Sequence, residues 1–354
     1  MQSNMRERIS AGLKGDYEGL DNGLDRINEY IFKTQRGCYY LLGGLSGSAK
    51  TTFLDFVILN AIQDAEAKGL PINVIYYSWE IDESTKKANW LSILIHKKYN
   101  IVIPPEKIKG YGKNRLSDDE QLLVFSEIDE LERIFSKIHW IWEAQNPTGI
   151  YKYWWDFMSP RGKFTKESYI DENDQKKERI VKFELDNPLE YNIVAGDHIA
   201  LAKIERGFTL KQNIDKISEY SVIARNMFKM TFIWLQQFNQ GLSSVDRAKF
   251  RGVDISPQQS DFKDSTNPYS DADVVLGLMN PYKMDMTSCL GYNINALNAE
   301  YNLKDSFRML KIVKNRLSRD NIAIGLLFTP KTGSFKELPI PGDMNKQWLE
   351  DNLK

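Results

Sequence analysis

The stretch Gly43-Gly44-Leu45-Ser46-Gly47-Ser48-Ala49-Lys50-Thr51-Thr52 constrains this chain more than any other. Ahead of it, Cys38-Tyr39-Tyr40-Leu41-Leu42 is a short apolar run rich in strand formers. Behind it, Phe53 to Ile62 has the length and apolar character of a buried helix. Strand, glycine-rich turn, Lys-Thr and helix together make the layout of a phosphate-binding loop. In such a loop, backbone N–H groups and the positive end of the helix hold the phosphates. Lys50 reaches the β and γ phosphates, and the Thr51 hydroxyl ligates Mg²⁺. The residues assigned to the nucleotide are Gly44, Leu45, Ser46, Gly47, Ser48, Ala49, Lys50, Thr51 and Thr52. Ala49 occupies a position where the pattern G-x-x-x-x-G-K-[ST] has glycine. Its methyl crowds the loop without removing an N–H donor. The plainer alternative, a glycine turn before a helix that happens to carry Lys-Thr, does not account for the matching context on both sides.

At 354 residues, 42% of them hydrophobic, the chain can fill one large core or two small ones. No apolar run approaches a membrane span, and Met1 to Arg8 lacks the apolar stretch of a signal peptide. Cys38 and Cys289 stand far apart, which argues against a disulfide framework or a zinc site, so a reducing, cytoplasmic setting is expected. The net charge of −1 does not mark a nucleic-acid binder, and any DNA contact must come from local loops.

Residues 1 to about 14 read as a short polar helix or arm. After the helix that follows the loop, Gly69-Leu70-Pro71 breaks the chain, and Ile72 to Trp79 reads as a strand ending on Glu80. A helix follows through Ile95, then one amphipathic helix over Asp118 to Ser136 and a strand over Ile138 to Glu143. The aromatic run Tyr151-Lys152-Tyr153-Trp154-Trp155 suits either core packing or base stacking. Ile180 to Leu185 alternates like an exposed hairpin strand. Tyr191 to Asp197 and Met230 to Leu235 are strands separated by a helix over Leu210 to Phe228. Further strands are expected at Asp273 to Met279, Phe307 to Lys314 and, last, Ala323 to Thr329. Strands alternating with helices behind such a loop predict an α/β fold with a mainly parallel sheet flanked by helices.

Nucleotide hydrolysis needs a carboxylate for Mg²⁺, a group that polarises water and a sensor of the γ-phosphate. In open α/β sheets these sit at the carboxyl ends of strands. Glu80, Asp197 and Gln237 all do so. Glu143 also ends a strand and competes with Asp197 for the metal role. His96, His139 and His198 have no metal-ligand spacing.

With these motifs in order, the chain resembles the RecA-like motor domain of the DnaB-like replicative DNA helicases. The resemblance spans roughly residues 17 to 330. It rests on Gly19 to Arg26, Arg36-Gly37, the phosphate loop, Tyr77-Ser78-Trp79-Glu80-Ile81, Asp197-His198-Ile199 and Leu235-Gln236-Gln237-Phe238-Asn239. Ser260 to Ser265, Asp271-Ala272-Asp273 and Lys314-Asn315-Arg316 complete it. The resemblance implies a RecA-like P-loop NTPase core that hydrolyses ATP with Mg²⁺. Glu80 would be catalytic, Thr51 and Asp197 would hold the metal, and Gln237 would couple nucleotide state to DNA. Lys314 and Arg316 would reach a neighbouring subunit's γ-phosphate; the alternative is a pair of surface charges at a strand end. Arg247, Lys249 and Arg251 stand where the family places its central-channel DNA loop, and otherwise form a solvated loop. The implied partners are single-stranded DNA, further copies in a hexameric ring moving 5′ to 3′, and a primase or helicase loader.

The expected organisation is an arm at 1–16, an ATPase domain at 17–335 with an expansion near 160–187, and a tail at 336–354. Two features depart from the family pattern, Ala49 and Gly196 before Asp197, and the residues ahead of position 17 are not expected to form the N-terminal domain that recruits primase. Two other readings stay open, a RecA-like ATPase acting as filament, loader or remodelling factor, and a nucleotide-binding assembly protein.

Overall fold

Apolar runs that bury both faces lead to a covered sheet, and the computed structural model shows one. It describes residues 5–13, 15, 17–113, 115–239, 256–262, 264–294, 306–344, 347–348 and 351. The strands are β1 (Tyr39–Gly44), β2 (Ile72–Ser78), β3 (Ile138–Ile141), β4 (Gly162–Ile170), β5 (Lys176–Leu185), β6 (Tyr191–Asp197) and β7 (Thr231–Gln237). They continue with β8 (Val274–Met279), β9 (Ser288–Cys289), β10 (Tyr292–Asn293), β11 (Phe307–Asn315), β12 (Ala323–Thr329) and β13 (Ser334–Glu337). The helices are α1 (Met5–Leu13), α2 (Asp25–Ile31), α3 (Lys50–Ala67), α4 (Glu83–Tyr99), α5 (Pro105–Ile108), α6 (Asp118–Ser126), α7 (Ile128–Phe135), α8 (Pro147–Met158), α9 (Leu210–Phe228) and α10 (Asn267–Asp271).

Nine strands form one sheet in the order β13-β12-β11-β8-β1-β7-β6-β2-β3. The run from β8 to β3 is parallel, and β11, β12 and β13 add an antiparallel edge. Side chains alternate between the two faces. Tyr40, Leu42, Val74, Tyr76, Ile193 and Ile233 pack with α3, α4 and α7. Tyr39, Leu41, Ile75, Tyr77, Val194, Phe232 and Trp234 pack with α8 and α9. Covering both faces explains why these strands read as continuous apolar runs. Every residue of α3 from Phe53 to Ile62 is buried, polar Asp55 and Asn60 included.

The aromatic run lies on α8 and is packing. Trp154 is fully buried against Phe232, and Trp155 stacks on Phe164. Burying a side chain of this size contributes on the order of 1.5–3 kcal/mol. The expansion is a β4–β5 hairpin, anchored by Phe164 and Phe183 against Phe228 and exposed along most of its length.

Three expectations need correction. The single helix over Asp118 to Ser136 is two helices, because the chain turns at Glu127 and brings its carboxylate inward to Lys98 at 2.9 Å. The strand expected to reach Glu143 ends at Ile141. Ala323 to Thr329 is not the last strand, since β13 follows through a turn at Gly333 and carries the sheet to Glu337. No helix among the described residues is long and apolar enough to cross a membrane.

Candidate nucleotide-binding site

β1 ends at Gly44, and the chain turns through Leu45 to Ala49 into α3. The turn is tight: a Cβ on Gly44 would lie 2.6 Å from both the Leu278 carbonyl oxygen and Ser48 Oγ. Ala49 caps α3 at φ 73° and ψ 32°, the left-handed region, so this alanine has the backbone a glycine adopts freely. The first bond within α3 runs from the Phe53 N–H to the Ala49 carbonyl. Amides ahead of it have no carbonyl of their own helix and are open to an anion. Ser48 Oγ is buried and has no hydrogen-bond partner among the described residues. The Thr52 methyl lies against Gly333, 2.7 Å from a Cβ built there.

Lys50 Nζ donates to the carbonyls of Gly44 (2.8 Å) and Leu45 (2.9 Å). Burial pushes its ammonium down to about 8, opposed by the charges of Asp197 and Glu80. Asp197 ends β6 directly opposite Ser78 of β2. Burial carries its carboxyl up to about 6, while Lys86 and a hydrogen bond from the Thr51 side chain pull the other way. Glu80 lies two residues past Ser78, is half-exposed, and sits 3.8 Å from His198 Nε2. Gln237 ends β7 opposite Gly44. Lys50, Thr51, Glu80, Asp197 and Gln237 are thus assembled on the carboxyl edge of the parallel strands. Glu143 is not among them. It follows the edge strand β3, about 19 Å across the sheet from β1, whereas β6 is about 10 Å away.

Gly196 has a packing reason. A Cβ there would stand 1.9 Å from the Trp234 ring, which lies across the strand end.

Thr51 and Asp197 offer a hydroxyl and a carboxylate, the hard oxygen donors suited to Mg²⁺, which takes one or two protein ligands and completes its shell with phosphates and water. The donor set fits that ion. When bound, Mg²⁺ would neutralise phosphate charge.

Lys314 and Arg316 lie elsewhere. Lys314 pairs with Val275 and, through it, with the level of Leu41, about 10 Å back along β1 from Gly44 and two strands across. Its Nζ donates to the carbonyls of Tyr269 (2.8 Å) and Ser270 (2.7 Å) on α10. Burial, reinforced by Arg316, lowers Lys314 to about 8. Arg316 donates to Ser270 at 2.8 Å, approaches Asp273 at 3.6 Å and is half-exposed. Arg247, Lys249 and Arg251 lie outside the described residues. The chain flanking them is held beside Gln237: Phe238 bridges to Phe262, and the Asn239 N–H donates to the Asp261 carbonyl at 2.7 Å.

Sequence reading missed three cations. Lys86 on α4 is fully buried, 2.8 Å from Asp55 on α3, with the Tyr76 hydroxyl between the elements. Arg308, at the start of β11, is buried and donates from Nε to the Ser48 carbonyl at 3.1 Å. Lys283 follows β8 and closes on Gly47. Nothing local marks any of the three: Arg308 shares β11 with Lys311 and Lys314, and the sequence does not set it apart from them.

No protein-family model matches the chain, and no curated protein matches it in sequence. Solved structures do match in fold. One is the structure of a DnaB-like replicative helicase and its interactions with primase, at TM-score 0.65 and 16% identity over 96% of this chain and 69% of that one. Another is a structure of an ATPase domain on its own, at TM-score 0.65 and 16% identity over 96% of this chain and all of that one. The chain has the RecA-like fold of these ATPase domains.

Proposed function

We propose that this protein is an ATP-driven motor of the DnaB-like type, which translocates on single-stranded DNA as a hexameric ring. One observation carries the reading. Lys50, Thr51, Glu80 and Asp197 converge on one edge of the sheet, while the Lys314 and Arg316 pair lies on the opposite edge. In one subunit the cations cannot reach the phosphates of their own loop; in a ring, one subunit's back edge meets the next subunit's front. Lys50 holds the β and γ phosphates, Thr51 and Asp197 hold Mg²⁺, and Glu80 polarises the attacking water. Gln237 sits where it can relay the state of the phosphates to the segment carrying Arg247, Lys249 and Arg251. The Arg316 guanidinium supplies the charge that makes hydrolysis depend on assembly, an effect worth several orders of magnitude in rate.

The test is a mixing experiment with single-stranded DNA present. Arg316→Ala and Glu80→Gln are each expected to assemble and to hydrolyse ATP poorly. Mixed, they regain part of the rate, because some interfaces pair an intact Glu80 with an intact Arg316. Normal hydrolysis by Arg316→Ala alone would remove the ring motor from consideration. Strand displacement on a forked duplex separates a helicase from an ATPase that only binds or remodels DNA.

A further inference from the structure

Lys283 sits on a short turn (Tyr282–Met284) that leaves β8 on the same edge as the phosphate loop, because Leu278 of β8 pairs with Gly44 of β1. The turn is firmly built. The Tyr282 N–H donates to Asn280 Oδ1 (3.2 Å), and the Met284 N–H to the Pro281 carbonyl (3.0 Å). Tyr282 and Met284 pack on a small apolar cluster that includes Met279, Tyr292 and Phe307. This support aims Lys283 at the tip of the loop, where its Nζ would stand 2.4 Å from a Cβ built on Gly47. Gly47 has φ +73°, a backbone that favours glycine, and the missing Cβ leaves room for the ammonium to approach. Arg308 holds the next residue through the Ser48 carbonyl, which fixes the tip relative to β11.

Lys283 is exposed, and no carboxylate among the described residues is within ion-pair distance of it. A second lysine brought to a turn of backbone N–H groups already served by Lys50 gains little unless an anion lies between them. We propose that Lys283 is a phosphate ligand of the nucleotide, supplied in cis by the β8 turn. Resting on the nucleotide reading of the loop, the inference adds which part of the nucleotide this residue holds. Gly47 belongs to the stretch that wraps the α and β phosphates, three residues before the lysine that takes β and γ. Lys283 therefore serves the phosphates common to ATP and ADP.

The test is calorimetric titration of the full chain with Mg²⁺-ATP and, separately, Mg²⁺-ADP. Lys283→Ala is expected to weaken both about tenfold, and Lys283→Arg to stay within about threefold of the parent. Parent-like affinity in Lys283→Ala makes it a surface lysine and overturns the proposal. A loss for ATP alone overturns the α/β assignment, and an equal loss in both variants overturns the role of the charge. Lys50→Ala run beside them tells this failure from a deeper one: if it too binds ATP like the parent, the nucleotide reading itself falls.

Discussion

Ala49 holds a left-handed backbone that costs an L-residue about 1–2 kcal/mol. Ala49→Gly removes that strain and adds some freedom to the unfolded chain. The variant is expected to be more stable by about 0.5–1 kcal/mol, read from the midpoint of a urea titration. A decrease would mean that the methyl packs favourably in the loop. Lys50 yields a pH dependence. Burial lowers its ammonium to about 8. Phosphate charge raises it again, so above about pH 8 nucleotide binding must draw a proton onto Lys50. ATP affinity is expected to fall as pH rises past about 8, by up to about tenfold per pH unit. Calorimetry at pH 9 in two buffers of different ionisation enthalpy should show net proton uptake. Zero uptake would mean that the free ammonium is already charged there.

At the scale of elements, the most consequential contact joins α3, β2 and α4. Asp55 accepts from the Tyr76 hydroxyl at 2.6 Å and from Lys86 Nζ at 2.8 Å, with both charges out of water. The same lysine favours the ionised form of Asp197, so the ion pair ties α3, the helix behind the glycine loop, to the carboxylate at the end of β6. Lys86→Met leaves the buried Asp55 carboxylate without its counter-charge and is expected to cost about 3–5 kcal/mol. Replacing both, Asp55→Leu with Lys86→Met, should recover most of the loss, because a well-packed apolar pair of similar volume is often neutral. Urea titrations of the single and double variants decide this; a double variant as unstable as the single one would refute it. The pairing itself is not marked in the sequence. Asp55 sits four residues after Thr51 within a helix otherwise apolar over Phe53 to Leu59, and Lys86 looks like any helix lysine until α4 packs down.

At the scale of the molecule, the edge that carries the glycine loop and the β4–β5 hairpin are separate constructions. Phe183 is buried against Phe228, whereas most of the hairpin beyond Thr165 and Lys182 is exposed. Those two residues face each other in register. Residues 166–181 can therefore be replaced by an Asn-Gly turn. The shortened protein should keep its stability within about 0.5 kcal/mol, while Phe183→Ala should cost about 3–5 kcal/mol. Equal losses in thermal unfolding would show that the hairpin tip is part of the core. In the same way, the opposed placement of Lys50 and Arg316 belongs to the whole sheet and to no single element.

The sequence by itself determined the local pieces. Strand, glycine turn, Lys-Thr and buried helix follow one another along the chain, and their signals are short-range: period, glycine position and β-formers. The mainly parallel α/β sheet and the acids at its strand ends were legible for the same reason. Only the tertiary structure decided which of those ends are neighbours. β6 and β7 insert between β1 and β2, so Asp197 reaches Thr51 while Glu143, although nearer to it along the chain, is carried to the far edge. The antiparallel turn of β11 puts Arg308 beside Ser48 and sends Arg316 to the other side of the molecule. Lateral strand order is set by long-range burial on both faces of the sheet, and no periodicity within a single strand encodes it.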